Sequence, residues 1–357
     1  MKAVPLPGHA EVRLTDRPMP APGPNEVLVR VQASALCRSD MSLYDGVPVV
    51  GGGAASGTIV PGHEATGDVV SLGNCVIDLA IGDRVAIYLA LCCGRCAACR
   101  RGYLMLCPTW RCLGFDVDGG DAEYLVVPAL NCLPIPDEMT YEVAALSTDM
   151  IGTQYSTQRR LGVSGNDTVA EFGLGPMGAA GVLVAKGRGA RVIAVGRAGG
   201  RLDLASELGA DVVIDAESSD LVAQLRAATH GAGVDAAIEC SGNPLAQNAA
   251  LDATRALGSV AFVGESRSTT INPSDQFLRK MLTVIGGWYF ATWEYPEIAR
   301  FIDAHHLPVA RMISHRFELA AAAEAFALFD ARQTDKVVFV PTTAGNPPVA
   351  GHTAVVS

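Results

Sequence analysis

Four cysteines, Cys93, Cys96, Cys99 and Cys107, stand in the run CGRCAACRRGYLMLC. Thiols at i, i+3 and i+6, closed by a fourth eight residues on, can converge on one point from a short loop. Tetrahedral zinc needs that convergence and binds thiolates at about 2.3 Å in closed structural sites. The competing readings are a pair of disulfides or buried free thiols. The segment Met1 to Ala10 carries one lysine, two prolines and no apolar core, so it does not read as a secretory signal and disulfides fit poorly. The run reads as a structural zinc lobe.

A second chemistry is written in Gly173-Leu174-Gly175-Pro176-Met177-Gly178. A lone GxGxxG says little in a chain with 38 glycines, but this one follows a strand-like run and opens a helix-like one. The first glycine makes the turn, the second lets backbone approach a pyrophosphate, and the third lets helix pack on strand. The helix N-terminus then offers unpaired N–H groups to the phosphates. About 20 residues on, NAD enzymes place a carboxylate for the ribose 2′-hydroxyl. Here the strand ends in Gly196 and Arg197, with Arg201 close behind. Guanidinium groups attract a 2′-phosphate, which favours NADP over NAD, unless both arginines are ordinary solvated charges. Glu171 is an oddity: it interrupts the first strand two residues before Gly173, where an apolar residue is expected. A carboxylate beside a pyrophosphate site is unfavourable unless a cation pairs with it.

A third group is scattered. Cys37 is followed by Ser39 and Asp40 in CRSD, His63 and Glu64 lie in PGHEATGDVV, and Asp149 lies in LSTDMIGT. Taken singly, these read as a buried thiol, a core histidine and a helix cap.

The elements that must position these groups change character twice along the chain. From about residue 27 to 136, short β-rich runs separated by Gly, Pro and Asp read as an antiparallel, partly closed β domain. From about 168 to 264, short apolar strands alternate with helix-like segments, the signature of a parallel sheet covered on both faces. After about residue 287 the pattern is mixed again, ending in the strand KVVFV. The stretch from Thr342 has the composition of a loose terminus. With 357 residues, 49% hydrophobic and 18% charged, the chain is long enough for two buried cores. Its net charge of −10 argues against a nucleic-acid partner, and no apolar stretch approaches the roughly 20 residues of a membrane span. Ten cysteines without a signal point to a reducing cytoplasm.

Together, the CxSD, GHE, cysteine lobe, Asp149 and GxGxxG motifs, in that order, resemble the zinc-dependent medium-chain alcohol dehydrogenases over about residues 1 to 340. VDAAIECSGNP and HRFELAAAAEAFALF also look like that family. The resemblance implies an α/β protein: a partly closed β-barrel (GroES-like) catalytic domain, residues 1–152 and 291–357 with 342–357 as tail, and a Rossmann doubly wound parallel sheet, residues 153–290. It implies Cys37, His63 and Asp149 as ligands of a catalytic zinc, with aspartate as third ligand resembling the NADP-linked secondary-alcohol branch. A second, structural zinc sits on Cys93, Cys96, Cys99 and Cys107. Glu64 would stand behind the catalytic zinc, Asp40 would fix the His63 tautomer, and Ser39 would begin the proton path to solvent. The cofactor site would be Gly173, Gly175, Pro176, Met177, Gly178, Gly196, Arg197 and Arg201. By analogy a small-molecule substrate pocket draws on Tyr88, Trp110, Phe115 and Trp288 or Tyr289, although each could equally be core.

The expected activity is hydride transfer between NADP(H) and a secondary alcohol or ketone. The alternatives are a polyol or sugar-alcohol dehydrogenase, or a zinc-free reductase of C=C bonds or quinones. A cytoplasmic homodimer or homotetramer, built by extending the Rossmann sheet, is also implied. Two departures stand out. Relatives often continue the relay with a histidine, where this chain has Ser42 and Tyr44, and the glycine-rich stretch from Val47 to Val60 could be a mobile loop or a permissive turn.

Overall fold

The computed structural model describes residues 1–47 and 59–341. Most of the glycine-rich stretch and the tail from Thr342 lie outside the described residues. The chain divides into two compact units. The first comprises Met1–Asp149, Ala291–Ala299 and Ile313–Ser357, and the second Met150–Phe290 and Arg300–Met312. Arg300–Met312 groups with the second unit although the chain on either side of it groups with the first, and the division falls within the helix Tyr295–Ala304.

Among the described residues, the first unit is built on a seven-stranded sheet. Its order is Ile313–Phe317, Lys336–Phe339, Glu26–Ala35, Glu64–Leu72, Arg84–Ile87 and Cys132–Pro134, with Tyr124–Pro128 also paired to Glu26–Ala35. All pairings are antiparallel except that of Ile313–Phe317 with Lys336–Phe339. Glu26–Ala35 pairs with three other strands, so its sequence EVLVRVQASA is buried almost throughout. Its one internal charge, Arg30, stays at the edge of the core and pairs with Asp68 at 2.9 Å. The register of this strand matters for chemistry. Ala35 faces Glu64 on one side and Val338 on the other, so both neighbouring strands bring residues to the point where the chain reaches Cys37.

The second unit holds a six-stranded, all-parallel sheet. In space it runs Val212–Asp215, Arg191–Gly196, Thr168–Phe172, Val234–Glu239, Thr254–Phe262, Thr283–Gly286. Numbered along the chain this is 3-2-1-4-5-6, the Rossmann order, with its switch point between the first and fourth strands. Strands such as Arg191–Gly196 are buried nearly end to end because helices cover both faces. The core joins Phe172, Ile193, Val195, Ile214, Leu225, Leu251 and Val260. The α/β architecture expected from the alternating pattern is therefore present in the second unit, and the first unit is β-rich. No helix among the described residues is long and apolar enough to cross a membrane.

Candidate metal centres and dinucleotide site

In the first unit, Cys37 follows the strand Glu26–Ala35, and His63 and Glu64 open the strand Glu64–Leu72. Asp149 lies in a π-helical turn, Ser147–Ile151, inserted between the helices Tyr141–Leu146 and Gly152–Leu161. Such turns are rare and recur at functional sites because they re-aim one side chain. Ligand atoms of Cys37, His63, Glu64 and Asp149 all lie within 4.8 Å of one another. Asp149 Oδ2 stands 3.7 Å from His63 Nε2 and 3.8 Å from Cys37 Sγ. His63, Glu64 and Asp149 are buried, whereas Cys37 is half-buried.

Asp40 organises this group from behind. One of its oxygens lies 3.1 Å from His63 Nδ1, and the other accepts the Cys37 backbone N–H at 2.8 Å. With a metal on Nε2, the first contact would keep the remaining ring proton on Nδ1, and Nε2 is the nitrogen that faces Asp149. Ser39 is half-buried on the single turn Arg38–Asp40. Gly62 turns the chain into His63 with φ +98°, and a Cβ there would lie 2.5 Å from Asp121 Oδ1 and 2.6 Å from Ser34 Oγ, so only glycine fits. Burial opposes protonation of His63, but Asp40, Asp149 and Cys37 more than offset it and hold the imidazole well above its ordinary pKa. For Asp149, burial raises the carboxyl, yet His63 prevails and holds it low. A soft thiolate, an imidazole and a carboxylate converging in a buried space fit zinc with a position left for another ligand.

Sequence reasoning missed Lys336. It opens the strand Lys336–Phe339, is almost fully buried, and pairs with Glu64 Oε1 at 2.5 Å. Glu64 Oε2 is buried with no hydrogen-bond partner. Burial pushes the Glu64 carboxyl up to about 8 despite the lysine, and Glu64 in turn holds Lys336 above its ordinary value against burial. Charge arithmetic agrees with a dication here: Cys37 and Asp149 would neutralise it, while Lys336 neutralises Glu64.

The cysteine lobe is a separate structure. The short strands Ala90–Leu91 and Arg111–Cys112 pair and close its base. Cys93, Cys96, Cys99 and Cys107 have sulfurs within 4.8 Å of one another, with Cys96 and Cys99 at 3.4 Å. Cys96 caps the helical turn Ala97–Arg100, accepting the Cys99 N–H on its sulfur. A backbone N–H from Cys93 pulls the Cys107 thiol down to about 6, whereas burial pushes the Cys99 thiol up. Four thiolates without a carbonyl or imidazole fit a closed zinc site.

In the second unit, the three glycines divide as their spacing requires. Gly173 has φ +85°, and a Cβ there would lie 2.7 Å from that of Ser241. A Cβ at Gly178 would overlap the Gly173 carbonyl oxygen, whereas Gly175 faces open space with only Arg201 Nη1 at 3.9 Å. The middle glycine is thus the open approach to the helix Pro176–Gly187, which has proline in its first turn. Gly196 ends the strand Arg191–Gly196, and Arg197 is exposed just beyond it.

The aromatic residues separate into core and surface. Tyr88 is fully buried with its hydroxyl on Met105 Sδ at 3.6 Å, so it belongs to the core and not to a pocket wall. Phe115 packs its ring 5.3 Å from that of His63, which puts it beside the metal-ligand group. Trp110 is half-buried in the lobe. Trp288 stacks near Tyr289 and lines a groove of about 390 Å³ with Phe262, Gly264 and Gly286 in the second unit.

Comparison with known proteins agrees with both units. Residues 23–137 match the alcohol dehydrogenase GroES-like domain, and residues 176–304 match the zinc-binding dehydrogenase domain. L-threonine 3-dehydrogenase of Pyrococcus horikoshii is 34% identical over 342 residues, covering 94% of this chain and 96% of that one. The alcohol dehydrogenase of Thermus sp. ATN1 superposes with a TM-score of 0.88 at 30% identity, over 96% of this chain and all of the other. A zinc-binding dehydrogenase from Sinorhizobium meliloti 1021, solved with NADP, gives 0.85 at 30% identity, over 95% of this chain and 99% of that one.

Proposed function

The chain belongs to the zinc-type medium-chain alcohol dehydrogenase family, and on that premise we propose that it interconverts a secondary alcohol and its ketone with NADP(H). The convergence of Cys37, His63 and Asp149 on one buried point, with Glu64 beside them, carries this reading. Zinc bound by those three residues supplies a Lewis acid for the oxygen of an alcohol or carbonyl. Asp40 Oδ1 fixes the His63 tautomer, and Ser39 Oγ takes the hydroxyl proton and starts its path outward. Lys336 holds Glu64 Oε1, which leaves Oε2 as the movable acceptor behind the ligand group. Phe115 against His63 keeps water off one side of the imidazole.

NADP is favoured on this chain's own residues. Gly196 leaves no carboxylate to repel a 2′-phosphate, and Arg197 and Arg201 stand ready to bind one. A secondary alcohol is favoured because carbon 3 of L-threonine, the position in the relative's name, is itself one. We assign the structural zinc to Cys93, Cys96, Cys99 and Cys107, the catalytic zinc to Cys37, His63 and Asp149, and the protein to a homo-oligomer.

The deciding experiment pairs metal analysis with oxidation of a panel of secondary alcohols by NADP⁺ and NAD⁺. Two zincs per chain, one of them lost in Cys37→Ala, with turnover preferring NADP⁺, is the expected outcome. One zinc in both proteins removes the catalytic centre and leaves zinc-free reduction as the better reading. Preference for NAD⁺ overturns the cofactor assignment alone.

A further inference from the structure

Glu171 has no part in the chemistry above, yet the phosphate-binding turn is built around it. It sits in the strand Thr168–Phe172, two residues before Gly173, and is fully buried. Its Oε1 accepts from Gln158 Nε2 at 3.2 Å, and its Oε2 lies 3.9 Å from Cys240 Sγ. Gln158 Nε2 also donates to the Gly181 carbonyl at 2.9 Å. Gln154 Nε2, one turn earlier on the same helix, reaches the Met177 carbonyl and Cys240 Sγ, both at 3.1 Å. Met177 lies inside the glycine motif, and Gly181 is one turn further along the helix it opens. A Cβ at Gly181 would overlap the carboxyl carbon and both oxygens of Glu171, so the helix has a notch where that carboxyl sits. The Cys240 N–H donates to the Phe172 carbonyl at 2.8 Å, which ties the next loop to the same point.

We propose that Glu171, carried as the neutral acid, is a positioning residue of the dinucleotide site. It keys the helix Pro176–Gly187 to the sheet and so aims the backbone N–H groups of the glycine turn, and its ionisation weakens cofactor binding. This rests on Gly173–Gly178 being the pyrophosphate site. A carboxylate at that depth would repel two phosphate charges through a medium of low polarisability, whereas the neutral acid adds hydrogen bonds without charge. Burial drives the Glu171 carboxyl well above the usual range, against the lowering by Cys240 and Gln158.

Among the described residues, the groups facing it contain no cation. The helix Gly152–Leu161 presents Gln154 and Gln158, the helix Pro176–Gly187 presents Gly181, and the adjacent strands present Ala194 and Ile238 in register. The titratable neighbours are Cys240, whose thiol burial also drives up, and Glu239, which accepts from the Ser241 and Gly242 N–H groups. Neither supplies a positive charge to stabilise an ionised Glu171. By linkage, a bound pyrophosphate must hold the proton on Glu171 more firmly.

The test is the affinity of the zinc-loaded protein for NADPH and for NADH, followed by fluorescence from about pH 6 to about pH 10, in the wild type, Glu171→Gln and Glu171→Val. The wild type should lose roughly tenfold or more in affinity on the alkaline side relative to Glu171→Gln, which stays neutral and keeps its amide in the notch. Glu171→Val should bind more weakly than Glu171→Gln at every pH, because Gln158 loses an acceptor. Binding to the wild type in weakly buffered alkaline solution should also take up protons, and binding to Glu171→Gln should not. Parallel profiles with equal proton uptake in wild type and Glu171→Gln overturn the proposal and leave the dinucleotide site standing. A wild type that binds neither cofactor at any pH overturns the dinucleotide reading and this proposal with it.

Discussion

The two ligand sets of the first unit solve opposite problems. The cysteine lobe draws four like donors from fifteen consecutive residues, with Cys93 exposed to solvent. The other set draws a thiol, an imidazole and a carboxyl from three distant segments, and all but Cys37 are buried. Four thiolates around a dication leave two negative charges, and the lobe answers with arginines: Arg95, Arg100 and Arg101 are exposed within the same run, which contains no acidic residue. The buried set needs no such help, since Cys37 and Asp149 balance a dication and Lys336 balances Glu64. A closed, saturated site can sit at the surface and carry folding energy, whereas a site meant to bind a substrate oxygen must leave one position open.

Cys37→Ser separates the two sets most. Turnover should fall at least ~1000-fold while the thermal midpoint moves by only a few degrees, because the lost zinc is not what holds the fold. Cys107→Ser should do the reverse, costing several kcal/mol of stability in denaturant titrations while the buried donor set stays whole. Equal losses of stability in the two variants would erase the distinction between them.

Lys336→Met tests charge balance in the buried set. Without its cation the Glu64 carboxyl should stay protonated to higher pH than in the wild type, so the stability gap between variant and wild type should widen as pH rises past about 8 in denaturant titrations. Asp40→Asn should weaken zinc binding ~10–100-fold in chelator competition, since His63 loses the partner that fixes its tautomer. In the second unit, Arg197→Ala with Arg201→Ala should raise KM for NADPH about tenfold and leave NADH unchanged, each charge-assisted bond being worth about a kcal/mol or more.

The smallest effect expected, taken per pH unit, concerns Glu171. Its folded pKa lies above the unfolded value, so the folded chain binds the extra proton, and stability is complete below the ordinary carboxylate pKa and falls as pH rises towards the folded value. Glu171→Gln removes that slope. The gap in unfolding free energy between variant and wild type should widen by about 1.4 kcal/mol per pH unit across that window.

Motif spacing makes the cysteine lobe and the glycine turn legible, because those residues sit at turns whose geometry is local, whereas Cys37, His63 and Asp149 are singled out only by the family resemblance. The rest depended on contacts across the sheets. Lys336 reads as an ordinary lysine at the start of KVVF, and only the pairing of its strand with Glu26–Ala35 carries it to Glu64. Asp149 read singly as a helix cap because a π-helical turn leaves no mark in the residue pattern. Glu171 was visible as an anomaly, but its explanation required Gly181, ten residues away, to be seen as the space it fills. Analogy with the family leaves Tyr88 open between pocket and core, and its burial against Met105 places it in the core. The passage of Arg300–Met312 into the second unit has no compositional signal at all.

The ion pair between Glu64 and Lys336 spans 272 residues, and the whole second unit is encoded between its two ends. During synthesis, Cys37, His63, Glu64 and Asp149 leave the ribosome long before the strand that carries the lysine. Until that strand docks, the sheet lacks two members, since Ile313–Phe317 joins it only through Lys336–Phe339, and Glu64 has no counter-charge. The seven-stranded sheet therefore cannot be completed until the last strand has been made, and the second unit has the opportunity to fold first.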